Sequence, residues 1–358
     1  MKYGKIIRNF ILSVLALLII CATIVYMADP FFHYHEPYFG LKKVLTEKEY
    51  QCIGSVRNFE YDSMIVGSSV CENYNNRWFD DAFGVKSIKA IRSYGATADL
   101  CYFIDEAYKN HDLKYVFYNI DPGALAGDAQ LTFEQTGCPM YLYDNNPIND
   151  IEYLLNKDVL LQRVPYMVSK SFMDEYDEGE SYNWGQWKEF KKDMVLGLYI
   201  RRKRIDTMKA ADAYCAECDG NIKLIEDIVK EHPETQFYIF IPPYSFVWWD
   251  NIYRYGDTDA YMENMKKCAS ALLQYDNVRF YYFLNDEEVV TNLDNYMDVL
   301  HFSPAINESI VNKLYDGRFE ITKENLNEVF EDSYKFADKA VNELIKPYED
   351  IILVDTQE

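Results

Sequence analysis

Short apolar segments of strand length alternate with helix-like segments along most of this chain. The strand-like segments lie at residues 63–66, 86–91, 115–120, 236–241 and 278–283. Helix-like stretches, for example residues 97–109 and 258–275, lie between them. Strands that alternate with helices predict an α/β fold, in which a parallel sheet is covered by helices on both faces. A chain of 358 residues is long enough for one large domain or two small ones.

The carboxyl ends of these strands carry residues that suit a ligand site, and ligands of parallel sheets bind beyond such ends. The first end is Gly67-Ser68-Ser69, and the others lie at residues 93–95, 119–121 and 243–245. Residues 64–73 predict a strand, a tight turn and the start of a helix, which would place a serine hydroxyl at the sheet edge. Such a serine is either a nucleophile or a plain helix cap. A histidine and an orienting acid elsewhere would favour the nucleophile.

A histidine and an acid of this kind follow the last predicted strand. His301 lies one loop after that strand, and Asp298 precedes it by three residues. At this spacing the carboxylate can accept a hydrogen bond from the imidazole, which fixes the tautomer and stabilises the imidazolium. The alternative is that His301 only caps a helix that begins at Pro304.

Residues 10–28 form a run of 19 residues without a charged side chain. Such a run is about long enough to cross a bilayer as a helix. Lys2, Lys5 and Arg8 precede it, and no Lys or Arg follows until Lys42. The positive-inside rule therefore places the N-terminus in the cytoplasm and the rest of the chain outside. We predict an uncleaved transmembrane signal anchor, with a cleaved signal peptide as the alternative.

The acidic composition excludes one class of partner. The chain has 58 acidic and 36 basic residues and a formal net charge of −22, so nucleic acid would be repelled. Cys215 and Cys218 form a pair without a second pair at zinc-finger spacing, and we expect neither a metal nor a cofactor. These two residues either form a local disulfide or remain thiols. The 32 tyrosines suit either ordinary packing or sugar binding.

The chain divides into four predicted regions. Residues 1–28 are a cytoplasmic stub with the anchor, residues 29–60 a juxtamembrane neck, residues 61–315 the α/β domain, and residues 316–358 a C-terminal helical extension. An insertion at residues 122–235 interrupts the α/β domain, and its length is typical of a lid or a docking subdomain.

Several local features have more than one interpretation or carry their own prediction. His33 and His35 in the neck are either metal ligands or part of an aromatic cluster at the membrane surface. The acidic stretch 174–180 is either a calcium site or a solvated loop, and it lacks the spacing of a known calcium loop. One helix is predicted over residues 150–163, and two helices are predicted within residues 304–346.

Taken in chain order, these motifs resemble those of the SGNH/GDSL hydrolase superfamily. Gly67-Ser68-Ser69 stands where the family has Gly-Asp-Ser, Gly95 stands at the second block, and Asp298 and His301 stand at the last block. The resemblance covers residues 60–315 and implies a flavodoxin-like three-layer α/β/α sandwich. It also implies that Ser69 is the nucleophile, His301 the base and Asp298 the orienting acid.

The same resemblance implies an oxyanion hole. Its donors would be the backbone amides of Ser69 and Gly95 and the side-chain amide of Asn119. In the family the third block reads Gly-x-Asn-Asp, whereas the third strand here ends with Tyr118-Asn119-Ile120-Asp121, so Asn119 stands at a shifted position.

Together with the N-terminal anchor, the motifs are similar to one branch, the membrane-anchored SGNH-like proteins of bacterial envelope polymers. This branch includes the DltD proteins of teichoic acid D-alanylation and the alginate O-acetylation proteins. The resemblance implies acetyl or D-alanyl transfer, or ester hydrolysis, at the outer face of a bacterial cell membrane. The substrate would be an envelope polysaccharide or teichoic acid, and the partner a membrane-bound O-acyltransferase of the MBOAT type. The alternative is a tethered scaffold or glycan-binding protein of the same fold without turnover.

Overall fold

The computed structural model describes residues 2–173 and 176–354. Asp174 and Glu175, which belong to the acidic stretch considered for calcium, lie outside the described residues.

The chain forms two compact units whose boundaries differ from the regions expected from the sequence. One unit consists of residues 1–60 and 133–181, and the other consists of residues 61–132 and 182–358. The segment expected to be one insertion, residues 122–235, therefore contributes to both units.

Helices and short strands alternate along the described residues. The α-helices are α1 (Lys2–Ala28), α2 (Lys48–Asn58), α3 (Asn76–Phe83), α4 (Thr97–Tyr108), α5 (Met140–Tyr143), α6 (Ile151–Leu154), α7 (Val164–Phe172), α8 (Lys192–Leu198), α9 (Cys215–Glu231), α10 (Phe246–Arg254), α11 (Thr258–Leu272), α12 (Glu287–Val290), α13 (Pro304–Asp316) and α14 (Leu326–Lys339). The strands are β1 (Ser63–Gly67), β2 (Ser87–Ile91), β3 (Tyr115–Asn119), β4 (Ile200–Arg201), β5 (Gln236–Ile241), β6 (Val278–Tyr282), β7 (Glu320–Ile321) and β8 (Leu353–Val354).

The predicted apolar helix is present as α1. Its residues Tyr3–Ala28 are long and apolar enough to cross a membrane. A signal sequence near an N-terminus meets the same criteria of length and composition.

The chain leaves α1 through a neck that is organised by Asp29. The buried Asp29 carboxylate accepts hydrogen bonds from the backbone amides of residues 33–35. The ring of His33 lies 3.3 Å from a carboxylate oxygen of Asp150. The two ring nitrogens of His35 lie 2.6 and 2.8 Å from backbone carbonyl oxygens. Both histidine rings are thus engaged in hydrogen bonds within the first unit.

The helix predicted over residues 150–163 is interrupted. α6 ends at Leu154, and a π-helical turn over Val159–Arg163 leads into α7. The side chain of Asn156 accepts hydrogen bonds from the backbone amides of Asp158 and Val159, at 2.9 and 3.3 Å. This local side-chain capping competes with a continuous helix and starts the next one.

The second unit contains a six-stranded sheet with the strand order β2-β1-β3-β5-β6-β7. The five predicted strands are confirmed, and their pairings are all parallel. β7 pairs antiparallel with β6 at the edge of the sheet. The region expected to hold two helices therefore contains this short strand between α13 and α14. Because β1, β3 and β5 are parallel neighbours, the residues that follow them meet at one edge.

Helices cover both faces of the sheet, because two neighbouring residues of the same strand contact different helices. The Phe117 ring of β3 packs against Phe79 of α3, at a centroid distance of 4.6 Å, while the next residue, Tyr118, contacts Thr97 of α4. On β6, Tyr281 donates to a carbonyl oxygen of α13, whereas Tyr282 is hydrogen-bonded to Ser333 of α14. Successive side chains of a strand point to opposite faces. The apolar core therefore lies in two layers, one on each side of the sheet.

Candidate active site

Ser69 lies directly after β1, in a turn that depends on glycine. β1 is buried along its whole length and ends at Gly67. A Cβ atom on Gly67 would lie 2.5 Å from Cys71 Sγ and 2.9 Å from Asn119 Cβ, so a larger residue would force these neighbours to shift. The chain then enters a 3₁₀ turn at Ser69–Cys71. Ser68 is only 6% exposed, whereas Ser69 is partly accessible. The turn therefore presents Ser69.

A continuous line of hydrogen bonds joins Ser69, His301 and Asp298. Ser69 Oγ lies 2.8 Å from His301 Nε2, and His301 Nδ1 lies 2.7 Å from Asp298 Oδ2. The other oxygen of Asp298 accepts hydrogen bonds from the backbone amides of Leu300 and His301, at 2.8 and 2.7 Å. These bonds hold the carboxylate in place, and the structure brings the three predicted catalytic side chains together.

The loop that carries His301 is attached to the end of β5. Ser245, four residues after that strand, donates to the carbonyl oxygen of Val299 from its hydroxyl, at 2.8 Å, and from its backbone amide, at 3.2 Å. Helix α13 begins at Pro304 with Ser303 at its N-cap position. His301 is therefore not the cap of α13, and its ring nitrogens face Ser69 and Asp298 instead.

Acidic groups around His301 favour its charged form. Burial alone would lower the pKa of His301, but the hydrogen bond and charge of Asp298, together with the charges of Glu72 and Asp121, outweigh burial and raise it. Burial would likewise raise the pKa of Asp298, yet the hydrogen bonds and charge of His301 lower it. Asp298 is thus a carboxylate at neutral pH, where it stabilises an imidazolium next to Ser69.

Two of the three expected oxyanion donors are engaged elsewhere. The Gly95 amide donates to the Arg92 carbonyl oxygen at 3.2 Å, and a Cβ atom on Gly95 would lie 2.5 Å from Arg92 Cγ. Asn119 is 1% exposed, and its Nδ2 donates to Asp121 Oδ1 at 3.0 Å. The backbone amide of Gly95 is thus used within a tight turn, and one N–H of the Asn119 side chain is used by a neighbouring carboxylate. Of the expected donors, the Ser69 amide remains, at the first residue of its turn.

Trp184, which the sequence did not single out, packs against the imidazole. Its ring meets the His301 ring edge to face, with centroids 5.4 Å apart and planes at 78°. Asn73 Oδ1 holds this segment by accepting hydrogen bonds from the amides of Trp184 and Gly185, at 3.1 and 2.8 Å. Asn73 and Trp184 lie 111 positions apart, so no local pattern relates them.

Ser69 and His301 open into a cavity of about 310 Å³. Its lining residues come mainly from the carboxyl ends of the strands and from the histidine loop: Ser68, Ser69, Val70, Tyr94, Asp121, Leu198, Tyr244, Asp298, Val299, Leu300 and His301. The Tyr244 hydroxyl donates to Asp121 Oδ1 at 2.6 Å and joins the ends of β3 and β5. Tyr94, Asp121 and Tyr244 all belong to the strand ends expected to carry a ligand site.

Cys215 and Cys218 do not form a disulfide bond. The eight cysteines of the chain are free thiols. Lys267 Nζ donates to Cys215 Sγ at 3.1 Å, and Cys218 Sγ donates to the Asn264 carbonyl oxygen at 3.6 Å. Among residues 2–173 and 176–354, no three His, Cys, Asp or Glu side chains form a group that could hold a metal ion.

The chain was also compared with known proteins. No protein-family model matches it, and no curated protein matches it either. The geometry around Ser69 is therefore the basis for a functional proposal.

Proposed function

We propose that this protein is a serine esterase or O-acyltransferase that uses Ser69 as its nucleophile. The observation that carries the proposal is the hydrogen-bonded line from Ser69 through His301 to Asp298 at the mouth of a cavity. A helix cap needs none of these partners, whereas a nucleophilic serine needs a base within hydrogen-bonding reach and a group that orients the base.

The reaction proceeds in two half-reactions. Ser69 Oγ attacks the acyl carbonyl carbon while His301 Nε2 takes the hydroxyl proton. His301 then gives this proton to the leaving group. The product is an ester on Ser69. In the second half-reaction an acceptor hydroxyl loses its proton to His301 and attacks this ester, and Ser69 recovers the proton. A sugar or polyol hydroxyl gives transfer, and water gives hydrolysis.

The tetrahedral intermediate in this proposal relies on fewer donors than the SGNH resemblance implies. The Ser69 amide is the donor at hand, while those of Gly95 and Asn119 are engaged. Loss of one oxyanion donor costs roughly two to three orders of magnitude in turnover. We therefore expect slow hydrolysis of simple soluble esters.

The location and partner follow from the N-terminal helix and the SGNH resemblance. Helix α1 would anchor the protein in a bacterial cell membrane with its N-terminus in the cytoplasm, because its basic residues all lie at its N-terminal end, before the uncharged run of residues 10–28. The parallel sheet, with helices on both faces, supports an SGNH-like sandwich. The acceptor would be an envelope polysaccharide or teichoic acid, and an MBOAT-type acyltransferase would deliver the acyl group.

An active-site probe tests the nucleophile. The full-length protein in detergent should react covalently with a fluorophosphonate, and Ser69→Ala should abolish the labelling. Ser68→Ala is the matched control, because its hydroxyl lies one residue away but is buried; it should retain labelling. Absence of labelling in the wild type, or labelling that persists in Ser69→Ala, would contradict the proposal.

A second candidate is a tethered glycan-binding scaffold without turnover. The engaged amides of Gly95 and Asn119 favour it, because an inactive relative has no need of an oxyanion hole. Hydrolysis of nitrophenyl acetate separates the two functions. Hydrolysis by the wild type that is lost in His301→Ala supports the enzyme. A wild-type hydrolysis rate no higher than that of His301→Ala supports the scaffold.

A further inference from the structure

A second and larger cavity lies beside the one that contains Ser69. Its volume is about 620 Å³, within the range of roughly 300–1,000 Å³ that is usual for small-molecule sites. Four residues line both cavities, namely Tyr94, Asp121, Tyr244 and Leu300. A ligand in the larger cavity can therefore reach toward Ser69 across this shared boundary.

The lining of the larger cavity combines aromatic rings with acids and an amide. Five aromatic side chains contribute: Tyr94, Tyr244, Trp248, Tyr255 and Tyr261. Asn251 and three aspartates, Asp121, Asp128 and Asp257, supply polar groups. Aromatic faces pack against the C–H surfaces of sugar rings, and carboxylate and amide groups hydrogen-bond to sugar hydroxyls.

The charges around the cavity disfavour an anionic ligand. No Lys or Arg is among the lining residues in the described part of the chain. Two cations that contact lining residues are engaged by them: Lys209 pairs with Asp257 at 2.6 Å, and the Arg202 guanidinium lies 4.9 Å from the centre of the Tyr255 ring. Asp121 is the one charged residue among the four that line both cavities. A phosphate group there would meet like charge, whereas an uncharged ring would not.

Asp121 has a spare acceptor at this boundary. Asn119 and Tyr244 both donate to Oδ1, at 3.0 and 2.6 Å. Oδ2 accepts no hydrogen bond from the residues that the structure describes, so it can accept one from the hydroxyl group of a ligand in either cavity.

Tyr94 is a second feature that points to a ligand. Its side chain is 94% exposed, although it lines both cavities. Its backbone has φ +55°, a left-handed conformation that is rare for a bulky residue. Such strain is concentrated at ligand-binding and active sites. An exposed ring on a strained turn between two cavities is placed to stack on a bound ring.

We propose that the larger cavity binds an uncharged saccharide, which presents a hydroxyl group to the acyl group on Ser69 across the boundary formed by Tyr94 and Asp121. This inference rests on the proposed function of Ser69 and narrows the acceptor to neutral glycans, as opposed to phosphate-bearing polymers. Tyr94 stacks on the sugar ring, and Asp121 positions the accepting hydroxyl.

Binding to the full-length Ser69→Ala protein in detergent tests the proposal without turnover. The probes are cellohexaose, maltohexaose and chitohexaose as neutral glycans, and poly(glycerol phosphate) as the anionic polymer, measured by calorimetry. We expect at least one neutral oligosaccharide to bind and poly(glycerol phosphate) to bind more weakly. Tyr94→Gly, added to this background, should weaken saccharide binding about tenfold. Glycine adopts the left-handed conformation freely, so this variant keeps the fold.

Tyr255→Ala provides an independent variant with a matched control. It should also weaken saccharide binding, whereas Tyr334→Ala should not. Tyr334 is 38% exposed and Tyr255 is 37% exposed, but only Tyr255 lines the cavity.

Three results would overturn the proposal. These are no binding of any neutral oligosaccharide at millimolar concentration, tighter binding of poly(glycerol phosphate) than of the oligosaccharides, or undiminished saccharide affinity in both Tyr94→Gly and Tyr255→Ala. Fluorophosphonate labelling of the protein with intact Ser69 shows whether the saccharide site alone is wrong or the proposed nucleophile is wrong as well. Labelling without saccharide binding refutes the acceptor site alone. Saccharide binding without labelling refutes the acyl-transfer role of both cavities.

Discussion

Replacing Asp298 by asparagine would change the orientation of the His301 proton while leaving the loop in place. Asp298 Oδ1 accepts the backbone amides of Leu300 and His301, and an asparagine carbonyl oxygen can keep both bonds. The other oxygen accepts from His301 Nδ1 at 2.7 Å. With an NH₂ group there, Nδ1 must become the acceptor and the ring proton moves to Nε2. His301 can then no longer take the proton of Ser69.

The expected effect on catalysis is much larger than the effect on folding. Turnover should fall by roughly four orders of magnitude, the loss known for the corresponding change in a serine triad, which raises the activation free energy by about 5 kcal/mol. The free energy of unfolding should fall by only about 1 kcal/mol, since one charge-assisted hydrogen bond is lost. The Asp298 and His301 side chains are 26% and 22% exposed, so solvent screening keeps this value low.

Both quantities can be measured on the same preparation. The rate of nitrophenyl acetate hydrolysis reports catalysis, and urea unfolding reports stability. Asp316→Asn is the matched control, because Asp316 is an aspartate at the end of α13 that pairs only with Arg318, at 3.4 Å, among the described residues. It should leave both quantities unchanged. A loss of less than tenfold in a folded Asp298→Asn variant would refute the orienting role of Asp298.

Three further predictions follow from the same geometry. Because neutral His301 is the base and its pKa is raised above 6.5, the hydrolysis rate should rise with pH through that raised pKa. Glu72→Gln removes a charge that stabilises the imidazolium, so the rising limb of the pH–rate profile should move to lower pH; an unchanged limb would contradict this. Gly67→Ala introduces a Cβ atom 2.5 Å from a sulfur atom and should lower the free energy of unfolding by about 1–3 kcal/mol in urea titrations. Trp184→Ala frees the imidazole and should slow fluorophosphonate labelling by roughly tenfold, whereas Trp187→Ala, at an exposed tryptophan, should not.

Local patterns in the chain were sufficient to predict the sheet and its ligand-binding edge. Strand length and helix alternation are short-range properties, and they predicted each of the five parallel strands. They failed where local competition decides the outcome: Asn156 breaks the predicted helix at residues 150–163 by capping, and the two-residue strand β7 is too short to leave a pattern. The C-terminal edge of the sheet was therefore missed.

The Asp298–His301 pair shows the same principle in the candidate site. A spacing of three residues lets one loop bring carboxylate and imidazole together, so the sequence alone indicated the pair. The contact of His301 with Ser69 spans 232 positions and depends on the parallel order of the strands. The engagement of the Asn119 amide by Asp121 is a matter of side-chain direction, which residue spacing does not determine.

The sequence by itself therefore determined the α/β fold, the apolar N-terminal helix, the serine turn and the acid–base pair, because each depends on residues close together in the chain. Only the tertiary structure showed that Ser69 lies within hydrogen-bonding distance of His301, that Trp184 packs against the imidazole and that the Gly95 and Asn119 amides donate to other groups. It also decided that an aromatic and acidic cavity adjoins the serine. These features depend on the approach of side chains from distant segments, and that approach is set by packing across the whole sheet edge.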